Sequence, residues 1–146
     1  MASDIDDEYV VRLLGATILP FGAGNDGVMA YHNVFIRRYA NTLKEIAHLP
    51  QDTRVLELAA NPYGMTAALA GEMFEHVELA GFGPLSSEPR VVGLDVRGRR
   101  LTLDERLFNV ECDRWPYADE SFDLVIACDG IHSRIPFEVD ALVHDH

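Results

Sequence analysis

Between residues 33 and 48 the apolar side chains Phe35, Tyr39, Leu43, Ile46 and Ala47 recur at three- and four-residue spacing. That period predicts an amphipathic helix, ended by Leu49-Pro50. The pattern then tightens. Residues 54–58, Arg-Val-Leu-Glu-Leu, predict a short apolar strand carrying an acid, Glu57. A small-residue turn follows, in which Asn61 and Pro62 read as N-cap and first position of a helix continuing through Met65 to Phe74. A second strand is expected at 77–82, closed by Gly83-Pro84. Residues 90–95 and 99–103 flank Val96-Arg97-Gly98, the pattern of a β-hairpin. Further core strands are expected at 107–111 and 124–128, and a short helix after Pro136 with Phe137, Ala141 and Leu142 inward. Toward the N-terminus, residues 10–19 are apolar but short and residues 20–27 are a glycine-rich loop. Residues 1–9 are acidic and expected to fray. The chain contains neither internal repeats nor low-complexity segments.

Strands alternating with a helix and having apolar centres predict an α/β fold: a mostly parallel sheet covered by helices. The hairpin would be an insertion between its second and third core strands. The first strand-to-helix turn would lie at the carboxyl edge of the sheet, where open α/β sheets bind ligands. Residues 1–30 read as an acidic N-terminal tail and lid-like segment, and 31–146 as the α/β domain.

With 146 residues, 48% of them hydrophobic, the chain suits one domain with a real core. Twelve basic against 24 acidic residues leave a formal charge of -12, which repels phosphate backbones and argues against a nucleic-acid partner. Arg37-Arg38 and residues 97–100 are short basic runs, read as a solvated helix face and part of a turn. Cys112 and Cys128 make no disulfide framework, and Cys128 reads as a buried small hydrophobe. No apolar run approaches the roughly 20 residues that span a bilayer, and the acidic start lacks a signal peptide's basic region, so a cytoplasmic protein without membrane partners is expected.

Candidate chemistry centres on residues 54–64. A strand, an acid, a tight small-residue turn and a helix start suit a polar, partly anionic ligand, because small residues admit it to the backbone and unpaired N–H groups favour negative charge. An ordinary strand-to-helix turn would read the same way.

Three segments then align: Val55-Leu-Glu-Leu-Ala-Ala-Asn-Pro-Tyr-Gly64, Asn109-Val-Glu-Cys-Asp-Arg-Trp-Pro-Tyr-Ala-Asp-Glu-Ser-Phe-Asp123, and Leu124-Val-Ile-Ala-Cys-Asp-Gly-Ile-His132. In order and spacing they resemble the class I S-adenosylmethionine-dependent methyltransferases, over about residues 33–135. The stretch from Trp115 to Val125 is the more specific part. The resemblance implies a Rossmann-like three-layer sandwich and S-adenosyl-L-methionine as cofactor. It implies cofactor contacts at Glu57 (methionine end), at Ala59, Asn61 and Gly64 (turn), at Glu111 and Cys112 (adenine), and at Asp129 beside the transferred methyl. His132, as a general base, and Asp129 are the candidate catalytic residues, although many methyl transfers need only alignment. Tyr31, His32 and Arg37 lie where the family's N-terminal segment closes over the site, or on a helix surface. Trp115 and Tyr117 would lie near the adenine or serve as core aromatics. His144 and His146 read as solvated, and no cysteine–histidine cluster supports a metal.

Departures from the family are as informative. Ala59 replaces a usual glycine, which removes glycine's freedom at positive φ. The second strand, Val-Glu-Leu-Ala-Gly-Phe-Gly, lacks the usual terminal acid that binds ribose hydroxyls. The family also continues for three strands beyond the fourth, so the sheet reads as truncated, with the fourth strand at an open edge. A homo-oligomer or a hetero-partner covering that strand is expected. The function implied is methyl transfer to a small-molecule nucleophile. A non-catalytic methyltransferase-like domain that completes or regulates a partner is the alternative. A dinucleotide-binding oxidoreductase is weaker, because no full Gly-x-Gly-x-x-Gly is present.

Overall fold

The computed structural model describes residues 4–20, 32–84, 88–109, 115–118 and 120–127. Its elements in chain order are α1 (Asp7–Gly15), β1 (Thr17–Ile18), α2 (Ile36–Ile46), β2 (Arg54–Leu58), α3 (Gly64–Ala68), a π-helical turn (Leu69–Met73), β3 (His76–Gly81), β4 (Arg90–Val96), β5 (Arg99–Leu107) and β6 (Leu124–Ile126). The fold is α/β, with a six-stranded mixed sheet in the order β1-β4-β5-β3-β2-β6. β5, β3, β2 and β6 are mutually parallel, and β4 runs antiparallel to both its neighbours.

The sheet's two faces follow from the alternation of side chains along each strand. Val55 pairs with Val77, and Glu57 with Leu79. Leu79 pairs in turn with Glu105. These residues therefore share one face, together with Leu103 and Leu101 of β5 and their β4 partners Val92 and Leu94. The buried residues of α1, α2 and α3, among them Leu13, Tyr39, Leu43 and Met65, pack into one cluster with this face. Leu56, Leu58, Ala80 and Val125 face the other way, beneath Phe108, Trp115, Tyr117 and Phe122. Helices of the described residues thus cover one face, and an aromatic loop covers the central strands on the other. Each of Val55, Leu56 and Leu58 is essentially sealed from solvent, a burial that contributes about 1.5–3 kcal/mol per side chain.

Three expectations are corrected. The N-terminal segment does not fray from residue 4 onward. Ile5 is buried, and the Asp6 carboxylate caps α1 by accepting the Tyr9 N–H at 2.8 Å. Asp7 and Glu8 then sit in the first helical turn, where negative charge is favourable. The third parallel strand is not a new segment starting at Leu107 but ends there, and residues 110–111 of the one expected lie outside the described residues. The strand that forms is the hairpin's second arm, β5, which pairs antiparallel with β4 and parallel with β3. The hairpin is part of the sheet rather than an insertion between its core strands. Finally, the helix after β2 begins at Gly64, not Pro62.

The remaining pattern holds. The helix at 33–48, the strands at 54–58 and 77–82, and the hairpin with its turn at Arg97-Gly98 all form. β6 covers the first part of the strand expected at 124–128, and it lies at one edge of the sheet among the described residues. Cys128 and the segment after Pro136 lie outside the described residues. Among the described residues, no helix is long and apolar enough to cross a membrane.

Candidate functional site

β2 delivers the chain to the carboxyl edge of the sheet and into a turn of unusual backbone. Ala59 adopts φ 54° and Tyr63 φ 74°, both left-handed, and the Asn61–Pro62 peptide is cis. The Tyr63 N–H donates to the Ala60 carbonyl at 2.5 Å, which closes the turn over 60–63. A left-handed Tyr63 cannot belong to a right-handed helix, so α3 starts one residue later. Asn61 is exposed and caps nothing, since the cap position belongs to Tyr63 and carries no side-chain cap bond.

Tyr63 adopts this conformation with its phenol directed inward. Its hydroxyl donates to Glu105 Oε1 at 2.9 Å. Arg90 donates to the same oxygen from Nε at 2.7 Å, and its Nη2 lies 2.6 Å away. The Glu105 side chain is fully buried, whereas Arg90 is half-exposed. Burial, then the neighbouring carboxylate, pushes the Tyr63 hydroxyl well above its ordinary pKa, so it remains a donor. The other carboxylate oxygen, Glu105 Oε2, is buried and accepts from no described residue.

Glu57 lies in the same transverse row as Glu105, with Leu79 between them. It is 1% exposed and accepts from Thr66 Oγ1 at 2.6 Å, which ties β2 to the first turn of α3. The carboxylate is turned into the helix-side core, beneath the turn rather than above it.

The turn's inner side is filled by His32. A Cβ on Gly64 would collide with its imidazole, so only glycine lets the ring lie against the backbone there. The His32 ring meets Tyr39 Oη through Nδ1 at 3.0 Å and the Pro62 carbonyl through Nε2 at 3.4 Å. Burial pushes its pKa below the ordinary value, against a smaller opposing effect of the Pro62 carbonyl. The imidazole is therefore neutral near pH 7.

Of the residues singled out by sequence, Glu57, Ala59, Asn61 and Gly64 come together here, and His32 joins them. Arg37 does not: it lies on the surface, 3.2 Å from Asp7. Trp115 and Tyr117 are core aromatics, with ring centroids 5.7 Å and 6.0 Å from Phe108. Glu78, within β3, is exposed. Tyr31, Glu111, Cys112, Asp129, His132, His144 and His146 lie outside the described residues. Among the described residues, no three His, Cys, Asp or Glu side chains form a metal-binding group.

Tyr63, Thr66, Arg90 and Glu105 were not found by sequence reasoning, yet two of them left a signal. Leu101, Leu103 and Glu105 share one alternation phase in β5, and Arg90, Val92, Leu94 and Val96 share one in β4. A charge at the end of each apolar phase marks a pair of opposite sign, and the hairpin register sets Arg90 opposite Glu105.

A concavity of about 680 Å³ lies on the opposite face, between Arg54, His76, Asp104, Tyr117 and Phe122. It adjoins the amino ends of β2 and β3 and is lined by Tyr117 and Phe122, on the face away from Glu57 and Glu105. No family model, curated protein or solved structure matches this chain.

Proposed function

We propose that the chain is a Rossmann-like, methyltransferase-type domain that binds S-adenosyl-L-methionine at the carboxyl rim of its parallel strands and methylates a small-molecule nucleophile. One observation carries this reading. From β2 the chain steps to β3 and then β5 on one side, and afterwards places β6 on the other side of β2. In open α/β sheets such a reversal leaves a crevice outside the carboxyl ends of the two diverging strands, and ligands bind there. The turn 59–64 leaves β2 beside that crevice, and Asp129 and His132 follow β6 in the chain.

The packing of the turn supports binding on one side of it. His32 and Tyr63 fill the inner side, so the rim side is left, against half-buried Ala59 and exposed Asn61. The cofactor would supply an electrophilic methyl group on a sulfonium. The protein's part is alignment and exclusion of water, with His132 as an optional base. Glu57 would act from beneath, holding the turn through Thr66.

A second reading is favoured by the same packing. Glu57 is engaged by Thr66 and the inner side of the turn is occupied, as suits a non-catalytic domain of this type that binds a partner.

Titration calorimetry with S-adenosylmethionine and S-adenosylhomocysteine separates the two. The enzyme reading expects one site per chain and binding weakened about tenfold or more by Asn61→Leu, which fills the rim without touching the core. Absence of binding at millimolar cofactor would sink it and leave the partner-binding reading.

A further inference from the structure

His32 supports the turn from beneath, and its contacts fix its protonation state. The side chain is sealed from solvent, and its ring occupies the place where Gly64 lacks a Cβ. The Pro62 carbonyl can only accept a hydrogen, so Nε2, 3.4 Å away, carries one. Nδ1 then presents a lone pair, which takes the hydrogen of the Tyr39 hydroxyl at 3.0 Å. Each ring nitrogen of the neutral imidazole is thereby committed to a partner.

A second proton would sit on Nδ1, against the Gly64 backbone and facing a hydroxyl that is itself donating. It would also create a buried cation with no opposite charge. Among the described residues, burial and the Pro62 carbonyl set the ionisation of the ring, and Tyr39 of α2 is the titratable group bonded to it. The acids buried on this side of the sheet are engaged elsewhere, Glu57 by Thr66 and Glu105 by Tyr63 and Arg90. α1 buries Val10, Leu13 and Leu14, all apolar. An uncompensated buried charge is strongly disfavoured, and the chain has a local way to avoid it. His32 opens a short helical turn at 32–34 whose other residues, Asn33 and Val34, are exposed, and α2 behind it has no side-chain cap at Phe35. Swinging that segment outward hydrates the imidazolium and leaves the body of α2 in place.

We propose that His32 is a proton-operated latch on the turn 59–64: the neutral ring holds the turn, and protonation withdraws the ring and releases both the turn and the rim above it. The latch stands on the packing alone, whereas its effect on ligand binding rests on the adenosyl-cofactor reading. Because the folded chain resists the proton, the latch stays closed at neutral pH and opens in acid, below about pH 6.5. Below its midpoint the closed population falls about tenfold per pH unit, and so does the affinity of a ligand that needs the closed turn.

Nitrogen-15 NMR spectra recorded between about pH 8 and pH 5 test the latch directly. The imidazole nitrogens of the wild type should report the Nε2–H tautomer at the upper end. On acidification the amides of Ala59, Ala60 and Asn61 should move together, with one midpoint that matches the ring's. In His32→Phe, which keeps a planar ring over Gly64, they should stay still, and this separates His32 from the chain's other histidines. If that variant fails to fold, His32→Gln is the non-titrating control. Gly64→Ala denies the ring its seat and should show the acid positions of the same amides already at about pH 8. A ring that titrates while the amides stay put would overturn the latch. So would amides that move equally in the non-titrating variant, or a ring and turn unchanged until the whole protein unfolds. S-adenosylhomocysteine is titrated alongside, at about pH 8 and at one unit below the amide midpoint, where wild-type affinity should be about tenfold weaker and that of His32→Phe nearly constant. Wild-type binding that ignores pH overturns the latch and leaves the cofactor reading standing. Absence of binding at both values, with the amides still following His32, removes the cofactor reading and leaves the latch.

Discussion

Ala59 holds φ 54° while carrying a methyl group, a conformation in which Cβ crowds the following carbonyl and costs an L-residue about 1–2 kcal/mol. Glycine would relieve that strain but would lose more entropy on folding, an opposing effect of about 0.4–1 kcal/mol. Ala59→Gly is therefore expected to leave stability unchanged or raise it by up to about 1.5 kcal/mol, against the usual loss for glycine in ordered backbone. Urea unfolding midpoints at fixed m would measure it, and a clear loss would show that the methyl group contributes packing that outweighs the strain. Ala59 was legible in the sequence as a position wanting glycine. Glu105 was hidden in an alternating strand, and its importance rests on Tyr63 and Arg90, which lie 42 and 15 residues away.

Elements meet at His32, which links the start of the α2 region to the turn between β2 and α3. Its ring lies on Gly64 and reaches Tyr39 on α2. Because burial depresses its pKa below 6.5, the folded chain refuses a proton that the unfolded chain accepts. Stability attached to this residue is complete above about pH 6.5 and falls as the pH drops further toward the folded value. Unfolding free energies measured between about pH 8 and pH 5.5 should decline for the wild type and decline less for His32→Phe, which keeps a planar ring over Gly64 without a titrating nitrogen. Equal slopes in the two proteins would assign the effect to other groups. The sequence placed His32 either over the site or on a helix surface; it is neither lid nor surface but a wedge beneath the turn.

For the molecule as a whole, the sheet is drawn together at its amino end by Arg54 and Asp123, which join the starts of β2 and β6. The Asp123 carboxylate accepts from the Arg54 backbone N–H at 2.9 Å, from Nε at 3.1 Å and from Nη2 at 2.8 Å. The Asp123 N–H returns a bond to the Arg54 carbonyl at 2.8 Å. These donors, the guanidinium first, hold the Asp123 pKa at about 2 instead of 3.8. A depressed carboxylate stabilises the fold above its unfolded pKa and stops doing so as pH falls from about 4 to about 2. Both side chains are about half-exposed, so salt should weaken the effect. In acid titrations followed by circular dichroism, Asp123→Asn should flatten the wild-type dependence between about pH 4 and pH 2. An unchanged profile would remove this pair from the chain's acid response.

Local periodicity determined most of the elements. Apolar residues every three or four positions made α2, short apolar runs made β2 and β3, and alternation about Arg97-Gly98 made the hairpin, because each pattern reports only which face of its own segment is buried. Charge and acid placement likewise singled out the turn after β2. Which strand pairs with which was settled elsewhere. β5 serves as both hairpin arm and third parallel strand because its second half finds β3, and the two-residue β1 exists only because β4 offers it an edge. The left-handed Tyr63, the late start of α3 and the convergence of Tyr63 and Arg90 on Glu105 were also decided by tertiary structure. They depend on groups distant in the chain, and a periodic pattern holds no information about a partner outside its own window.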